Sequence, residues 1–219
     1  MQIFDTVLFD VDGTLIDSAP GIVYTLTQVF QEMDVDIQMV NLMQYVGPPL
    51  RVSFANHFSS DAEIEQATVR YREIYKETGR YQSKLYPGVK EMLAALKDAD
   101  FLLCTATSKP TGVVTPILEW LGIADYFTII GGASMDKTRD NKTKVIEYVL
   151  AQPALSGRSA LMIGDRREDL EGAVDCNLPA IAVRYGYGAP TEHEPFQTLF
   201  EADDCTALTR YLLTMKKGE

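Results

Sequence analysis

The 219-residue sequence contains few cysteines and histidines, and those few form no pattern typical of a disulfide framework. Cys104, Cys176 and Cys205 are odd in number, far apart in the chain and include no Cys-x-x-Cys pair. Such a set predicts free thiols in a reducing compartment, which favours a cytoplasmic protein. The two histidines, His57 and His193, fall in no recognisable ligand or base pattern, and we interpret both as noncatalytic.

Positive charge and long apolar runs are also scarce. The chain carries 20 Lys and Arg residues against 31 Asp and Glu residues, which argues against nonspecific binding to nucleic acid or to an anionic membrane. No apolar run reaches the roughly 18 residues that a transmembrane helix needs, and we expect no signal peptide. A small phosphorylated metabolite is still compatible with this charge, because one local basic site with a metal ion outweighs the global field. We expect a monomer or a homodimer.

What the sequence does contain is a series of short apolar runs separated by amphipathic segments. Apolar residues at three- and four-residue spacing between the runs predict helices, and a last helix is predicted at Cys205–Met215. Strands that alternate with helices indicate an α/β fold built from parallel βαβ units. The apolar runs predict five buried strands, at Thr6–Asp10, Phe101–Ala106, Phe127–Ile130, Ala160–Ile163 and Ala180–Val183.

Residues 17–85 interrupt this alternation with helical patterns and no convincing strand. Ser18 is a candidate N-cap for a first helix. Ser60 and Glu63 have the spacing of a capping box that opens a long amphipathic helix, and Gly79 suits the end of that helix. We therefore predict a helical segment inserted between the first strand and the rest of the α/β core.

Polar side chains follow three of the predicted strands at the point where each strand ends. Ligands of open parallel sheets bind beyond the carboxyl ends of the strands, so these side chains are candidates for one site. A lysine at the start of the helix before the fourth strand can reach the same region. The candidates are Asp10, Asp12, Thr107, Ser108, Asp165, Asp169 and Lys142.

This set of side chains is suited to phosphoryl transfer. Clustered carboxylates repel one another, and a hard cation such as Mg²⁺, which prefers oxygen ligands, removes that cost. A carboxylate aimed at phosphorus acts as a nucleophile. Thr107, Ser108, Lys142 and the backbone N–H groups near Gly13 are candidates to bind the nonbridging oxygens. Each piece alone has an ordinary interpretation as a turn, a loop hydroxyl or a solvated lysine, but the ordered set predicts this chemistry.

Four segments resemble, in order, the four motifs of the haloacid dehalogenase superfamily. The first is Asp10–Leu15, with the sequence Asp-Val-Asp-Gly-Thr-Leu, and the second is Thr107–Pro110. Lys142 resembles the third motif, and Gly164–Asp169 resembles the acidic fourth motif. The resemblance implies a Rossmann-like, three-layer core with an inserted α-helical cap. It places the core at residues 1–16 and 86–219 and the cap at residues 17–85.

The resemblance also implies a role for each matching residue. Asp10 would be the nucleophile that becomes an aspartyl-phosphate, and Asp12 the general acid and base. Thr107 and Lys142 would bind and steady the transferring phosphoryl group. A magnesium ion would be held by Asp10, the carbonyl oxygen of Asp12, Asp165 and Asp169.

The closer likeness is to the phosphoglycolate phosphatase and 5′-nucleotidase-like group, through Val46–Leu50 in the cap and Tyr185–Gly188 in the core. It implies a substrate-specificity loop that contains Gly47, and Arg51 just beyond the loop is a candidate contact for an anionic leaving group or, equally, a solvated helix residue. Together with Gly13 and Ser108, the candidate phosphate contacts above, these are the predicted substrate-binding residues. Two alternatives stay open. One is a phosphotransferase resembling β-phosphoglucomutase, and the other is a noncatalytic binding or regulatory protein on the same scaffold.

Overall fold

A computed structural model describes residues 4–47, 50–136 and 138–217. The chain divides into two compact units. Met1–Asp17 and Leu85–Glu219 form the first, called the core below, and Ser18–Lys84 form the second, called the helical unit.

The core is built on a six-stranded parallel sheet. In space its strands have the order β5-β4-β1-β6-β7-β8, so β1 lies between β4 and β6. The two remaining strands, β2 and β3, form a separate two-stranded sheet. The strands are β1 (Thr6–Phe9), β2 (Ile16–Asp17), β3 (Lys84–Leu85), β4 (Leu102–Pro110), β5 (Ile129–Ala133), β6 (Ala160–Gly164), β7 (Ala180–Val183) and β8 (Phe200–Ala202).

Helices flank both faces of this sheet, which confirms the predicted α/β, Rossmann-like core. Successive strand residues point to opposite faces, and both sets are buried because each face carries helices. On one face α6 and α7 pack on the inner strands, and on the other α4 packs with α9. The core helices are α4 (Val89–Asp98), α5 (Thr111–Trp120), α6 (Lys142–Leu150), α7 (Arg167–Asp175), α8 (Pro190–His193) and α9 (Cys205–Lys217).

The strand boundaries differ from the sequence prediction by up to four residues, and the short strands β2, β3 and β8 were not predicted. Strand β3 (Lys84–Leu85) shows that the prediction of no strand within residues 17–85 is wrong. Strand β4 continues four residues past the predicted end, to Pro110, and β5 starts at Ile129 instead of Phe127. Strand β8 has three residues at the edge of the sheet, and its Glu201 pairs with Arg184, so it lacks the apolar run that marks the inner strands.

The helical unit consists of α1 (Ala19–Glu32), α2 (Leu50–Ala55) and α3 (Asp61–Glu77), followed by a 3₁₀ turn at Gly79–Gln82. The capping box of α3 is confirmed, since the Glu63 N–H donates to Ser60 Oγ and the Ser60 N–H donates to Glu63. The buried Phe30 of α1 packs against the rings of Phe54 in α2 and of His57 after it, and Phe54 in turn packs against Tyr71 of α3. These contacts give the helical unit an apolar centre of its own.

Two local predictions in the helical unit are confirmed in position but not in mechanism, since Ser18 is the N-cap residue of α1 and Gly79 directly follows the C-cap residue of α3. Ser18 precedes α1, but its backbone is already near-helical (φ −96°, ψ −7°), and its hydroxyl makes no capping hydrogen bond. Gly79 does not have the left-handed conformation of a helix C-cap. It is glycine for a steric reason, because a Cβ at this position would collide with the Thr25 side chain.

None of the helices within the described residues combines the length and the apolar character needed to cross a bilayer.

Candidate active site

The central strands of the core bring the predicted acids together at one edge of the sheet. Asp10 follows β1, Thr107 lies near the end of β4, and Asp165 follows β6. Because these three strands are parallel neighbours, their carboxyl ends lie side by side. A carboxylate oxygen from each of Asp10, Asp165 and Asp169 lies within 4.8 Å of the other two, and all three residues are buried.

Lys142 is the first residue of α6, and it joins two of these acids. Its Nζ lies 2.7 Å from Asp10 Oδ1 and 2.6 Å from Asp169 Oδ1. It also donates to the carbonyl oxygen of Ala106 in β4, at 2.9 Å. The ammonium therefore has three oxygen partners in a buried position, which fixes its place between β1, β4 and α7.

Asp169 and Asp165 are held by backbone groups of their own loop. Asp169 lies in the first turn of α7, and its Oδ2 accepts the N–H groups of Asp165 (3.1 Å) and Arg166 (3.0 Å). Asp165 Oδ2 accepts the N–H groups of Tyr187 (2.7 Å) and Gly188 (3.2 Å). The other oxygen, Asp165 Oδ1, is buried and has no hydrogen-bond partner within residues 4–47, 50–136 and 138–217.

Glycines make room for these carboxylates. A Cβ on Gly13, which has φ +91°, would collide with the Asp165 carboxylate. A Cβ on Gly164 would meet the Asp169 carboxylate, and one on Gly186 would meet Asp165. The carboxylate of Asp165 therefore fills the space where a side chain at position 13 would lie.

The cluster has unusual electrostatics. Burial raises the pKa of Asp10 to about 7; Lys142 opposes that increase and Asp169 adds to it. Burial together with the charges of Asp10 and Asp169 raises the pKa of Asp165 to about 8. Burial alone would lower the pKa of Lys142, but the two adjacent carboxylates outweigh it and raise that pKa. The geometry thus gathers more negative charge than Lys142 neutralises.

These residues fit a divalent cation. The four predicted acids carry four negative charges when ionised, and Lys109 and Lys142, the two ammonium groups paired with them, leave two of those charges uncompensated. The donors are oxygen atoms, as Mg²⁺ prefers. Asp165 Oδ1, buried without a partner in the described part of the chain, is the kind of orphaned acceptor that a metal ion satisfies.

Asp12 has a partner that the sequence analysis did not assign. Lys109 Nζ donates to Asp12 Oδ1 at 2.8 Å. Lys109 can reach it because β4 contains a bulge: Thr107 pairs with Gly132 and Pro110 with Ala133, so two residues of β4 have no partner in β5. The predicted substrate residue Ser108 is the other bulge residue and is exposed.

Thr107 keeps a hydroxyl hydrogen for a ligand. It is buried at the edge where Asp10 and Asp165 lie. Its Oγ1 accepts the backbone N–H of Lys109 at 3.2 Å. A hydroxyl that accepts in this way still has its own hydrogen to donate.

The predicted substrate residues of the cap, Gly47 and Arg51, lie in the helical unit. Gly47 has φ +110°, which explains the glycine. Pro48 and Pro49 of the same predicted loop lie outside the described residues. Arg51 is in α2, where its guanidinium pairs with Asp61 (3.0 Å) and Glu65 (2.6 Å) of α3. The proposed substrate contacts of Gly47 and Arg51 remain predictions.

Sequence reasoning missed several residues that contact the acids. The backbone N–H groups of Tyr187 and Gly188 bind Asp165, a contact that the family resemblance of Tyr185–Gly188 does not predict. His193 Nε2 lies 2.7 Å from the carbonyl oxygen of Asp165, and its interpretation as a noncatalytic residue stays a prediction. The closely spaced glycines at 186 and 188 were the available signal for the first contact, and no sequence pattern marked the second.

Comparison with protein families identifies the relationship of the whole chain. The sequence profile of the haloacid dehalogenase-like hydrolases matches residues 7–183. A solved structure of a predicted phosphatase from Clostridium acetobutylicum is 37% identical, with a TM-score of 0.85, and the match covers 97% of this chain and 100% of that one.

Three relatives carry functional names. A Pseudomonas aeruginosa protein named 5′-nucleotidase is 33% identical, with 95% of this chain and 96% of the relative covered. A Vibrio cholerae phosphoglycolate phosphatase is 28% identical, with 97% and 99% covered. A Mycobacterium tuberculosis protein named tyrosine-protein kinase PtkA is 34% identical, but the match covers 83% of this chain and only 62% of that relative.

Proposed function

The chain belongs to the haloacid dehalogenase-like hydrolase family, and from that premise we propose that it is a Mg²⁺-dependent phosphatase that hydrolyses a small phosphomonoester through an aspartyl-phosphate. The observation that carries the proposal is the buried cluster of Asp10, Asp165 and Asp169 with Lys142 at its centre. The names of the relatives support the phosphatase assignment.

In the first step a carboxylate oxygen of Asp10 attacks phosphorus. A bond from Asp10 to phosphorus forms while the bond from phosphorus to the alcohol oxygen breaks. Asp12 gives a proton to the departing oxygen, which leaves as an alcohol. In this proposal the positive charge of Lys142, which contacts Asp10 Oδ1, and the Thr107 hydroxyl would stabilise the negative charge that spreads over the phosphoryl oxygens.

In the second step water replaces Asp10 on phosphorus. Asp12, ionised after the first step, accepts a proton from the water as the new bond forms, and the bond from Asp10 to phosphorus breaks. Lys109 Nζ donates to Asp12 Oδ1 at 2.8 Å, and this contact orients the Asp12 carboxyl group. The products are inorganic phosphate and free enzyme.

The residues proposed to hold Mg²⁺ are Asp10, Asp165, Asp169 and the backbone carbonyl of Asp12. A bound magnesium ion would supply positive charge next to the phosphoryl oxygens and relieve the repulsion among the carboxylates. The raised pKa values of Asp10 and Asp165 are consistent with this role, because they describe acids that lack sufficient positive charge.

Phosphoglycolate and nucleoside 5′-monophosphates are the proposed substrate classes, since relatives of both names match over nearly the whole chain. Release of phosphate from a panel of phosphorylated metabolites should separate them. Steady-state kinetics with each compound at saturating Mg²⁺ would identify the class by its kcat/KM.

The nucleophile is tested by Asp10→Asn, which keeps the size of the side chain but removes the attacking oxyanion. We expect kcat for p-nitrophenyl phosphate to fall by at least about 10³-fold, because no other group can form the covalent intermediate. Far-ultraviolet circular dichroism would serve as the folding control. Equal rates in the two proteins would reject the assignment.

Transfer to an acceptor other than water is the alternative mechanism. The relative named as a tyrosine kinase, and the family's sugar phosphomutases, make this comparison worthwhile. Rapid hydrolysis of the phosphorylated Asp10 intermediate in the absence of any acceptor would support a phosphatase. A long-lived intermediate that decays only when a sugar phosphate or a peptide is added would contradict it.

A further inference from the structure

One segment of the core, Tyr187–His193, surrounds the loop that carries Asp165; it is called the support segment below. The Asp165 carboxylate accepts the N–H groups of Tyr187 and Gly188, as described above. At the other end of the segment, in α8, His193 Nε2 lies 2.7 Å from the Asp165 carbonyl oxygen. The segment therefore contacts both the side chain and the backbone of Asp165.

Glu192 extends these contacts to Arg166, the last residue of this loop, and to Arg167, the first residue of α7. Its Oε2 accepts from Arg166 Nε at 3.0 Å and from the Arg167 N–H at 3.2 Å. The loop between β6 and α7 and the start of α7 are thus held by α8 at three successive residues. These contacts come from a short helix that lies outside the four motifs.

His193 has a polar ring in a place where an apolar side chain would be less costly to bury. The residue is 1% exposed. A carbonyl oxygen only accepts hydrogen bonds, so Nε2 must carry the hydrogen in its contact with Asp165. The other ring nitrogen, Nδ1, has no partner among the described residues. The bond to Asp165 is therefore the contact that offsets burial of the imidazole.

The Asp165 carbonyl needs such a donor because of its position. Strand β6 ends at Gly164 and α7 starts at Arg167, so this carbonyl lies between two regular elements. A Cβ on Gly188 would collide with the same oxygen, which shows how closely the support segment approaches it. Loss of the His193 donor would leave the carbonyl buried and free the loop to shift.

We propose that His193, assisted by Glu192, is a positioning residue that fixes the carboxylate of Asp165 for Mg²⁺ binding. The proposal rests on the function proposed above, because it takes Asp165 as a metal ligand. His193 touches neither the phosphoryl group nor the metal in this scheme. It acts on the direction of the Asp165 carboxylate, as outer partners of metal ligands do.

The test is isothermal titration of Mg²⁺ into the full-length protein without substrate, for the wild type, His193→Leu and His193→Gln. Leucine fills similar space but has no donor, whereas the glutamine amide can place an N–H near the position of Nε2. We expect about 10- to 100-fold weaker Mg²⁺ binding in His193→Leu. We expect binding within about threefold of wild type in His193→Gln.

Three outcomes would overturn the proposal. Wild-type affinity in His193→Leu would show that the bond to Asp165 does not matter for the metal and would leave the phosphatase function intact. Equal weakening in His193→Leu and His193→Gln would assign the effect to packing. Failure of the wild type to bind Mg²⁺ would overturn both this inference and the proposed function.

A second pair of variants keeps the test decisive if His193→Leu does not fold. Glu192→Ala removes the acceptor of Arg166 and Arg167 from a partly exposed position, and Glu194→Ala removes the same charge from an exposed residue nearby. We expect Glu192→Ala to weaken Mg²⁺ binding by about three- to tenfold and Glu194→Ala to leave it unchanged. Equal affinities in the two variants would contradict the role of α8.

Discussion

The core and the helical unit both contain predicted functional residues, but they hold their charges differently. In the core, Asp10 and Asp169 are buried and share the ammonium group of Lys142, which is also buried. In the helical unit, Arg51 is 46% exposed in its side chain and pairs with carboxylates that are themselves exposed. Buried charges are tolerated only when they are paired or bind a metal, whereas exposed ion pairs have a small desolvation cost and contribute little to stability.

This difference shows which charged residues indicate a chemical function. Burying the three acids Asp10, Asp165 and Asp169 at one sheet edge is unfavourable unless they act together, so the physical cost of the core cluster indicates a function. An exposed arginine beside two acids needs no such explanation. The reaction type is therefore supported by the structure far more strongly than the identity of the leaving group.

The largest expected effect comes from Lys142→Met, which removes the charge at the centre of the cluster. Asp10 and Asp169 would lose their shared partner, and breaking a buried pair in this way typically costs about 3–5 kcal/mol of unfolding free energy. We also expect kcat to fall by about 10²- to 10³-fold, as on loss of one donor to the transition state. Urea unfolding and steady-state kinetics would measure the two effects.

Lys144→Met is the matched control for that substitution. Lys144 lies in the same helix, but it is exposed and pairs with exposed Asp140. Removing it should change kcat by less than about twofold and stability very little. Similar losses in both variants would mean that the buried position of Lys142 is not what matters.

A second, intermediate effect concerns pH. The pKa values of Asp10 and Asp165 are raised from the ordinary 3.8 to about 7 and about 8. In the metal-free protein these groups add stability that is full below about pH 4 and is lost as pH rises through 7 and 8, because the folded state holds protons that the unfolded chain releases. We expect the Tm of the metal-free protein to fall between pH 6 and pH 8.5.

Mg²⁺ should reverse this trend, since its carboxylate ligands must be deprotonated. Binding at pH 6 should be at least about tenfold weaker than at pH 8.5, and the rise in Tm on adding Mg²⁺ should be larger at the higher pH. Differential scanning calorimetry and titration calorimetry would measure both. A Tm of the metal-free protein that does not change over this range would contradict the assigned pKa shifts.

The same contrast between units explains which features could be predicted. The strand ends, with Asp10 and Asp165, follow from apolar runs and the geometry of parallel sheets. Lys109 depends on a bulge in β4, and His193 depends on a loop that returns to Asp165 from 28 positions further along the chain. Such contacts arise from tertiary packing, and no local periodicity encodes them. Strand β8 could not be predicted from the sequence either, because it is short and lies at the edge of the sheet.

The smallest expected effect belongs to Arg51→Met in the helical unit. Arg51 is already neutralised by Asp61 and Glu65, so we expect KM for phosphoglycolate and for nucleoside monophosphates to change by less than about threefold. Arg70→Met is the matched control, because Arg70 is similarly exposed and pairs with Glu32 and Glu73 in the same unit. A KM for phosphoglycolate that rises more than tenfold in Arg51→Met alone would show that Arg51 exchanges its acids for the substrate. That result would confirm the sequence-based prediction of a leaving-group contact. It would also show that Arg51 contributes to substrate selection in addition to its ion pairs within the helical unit.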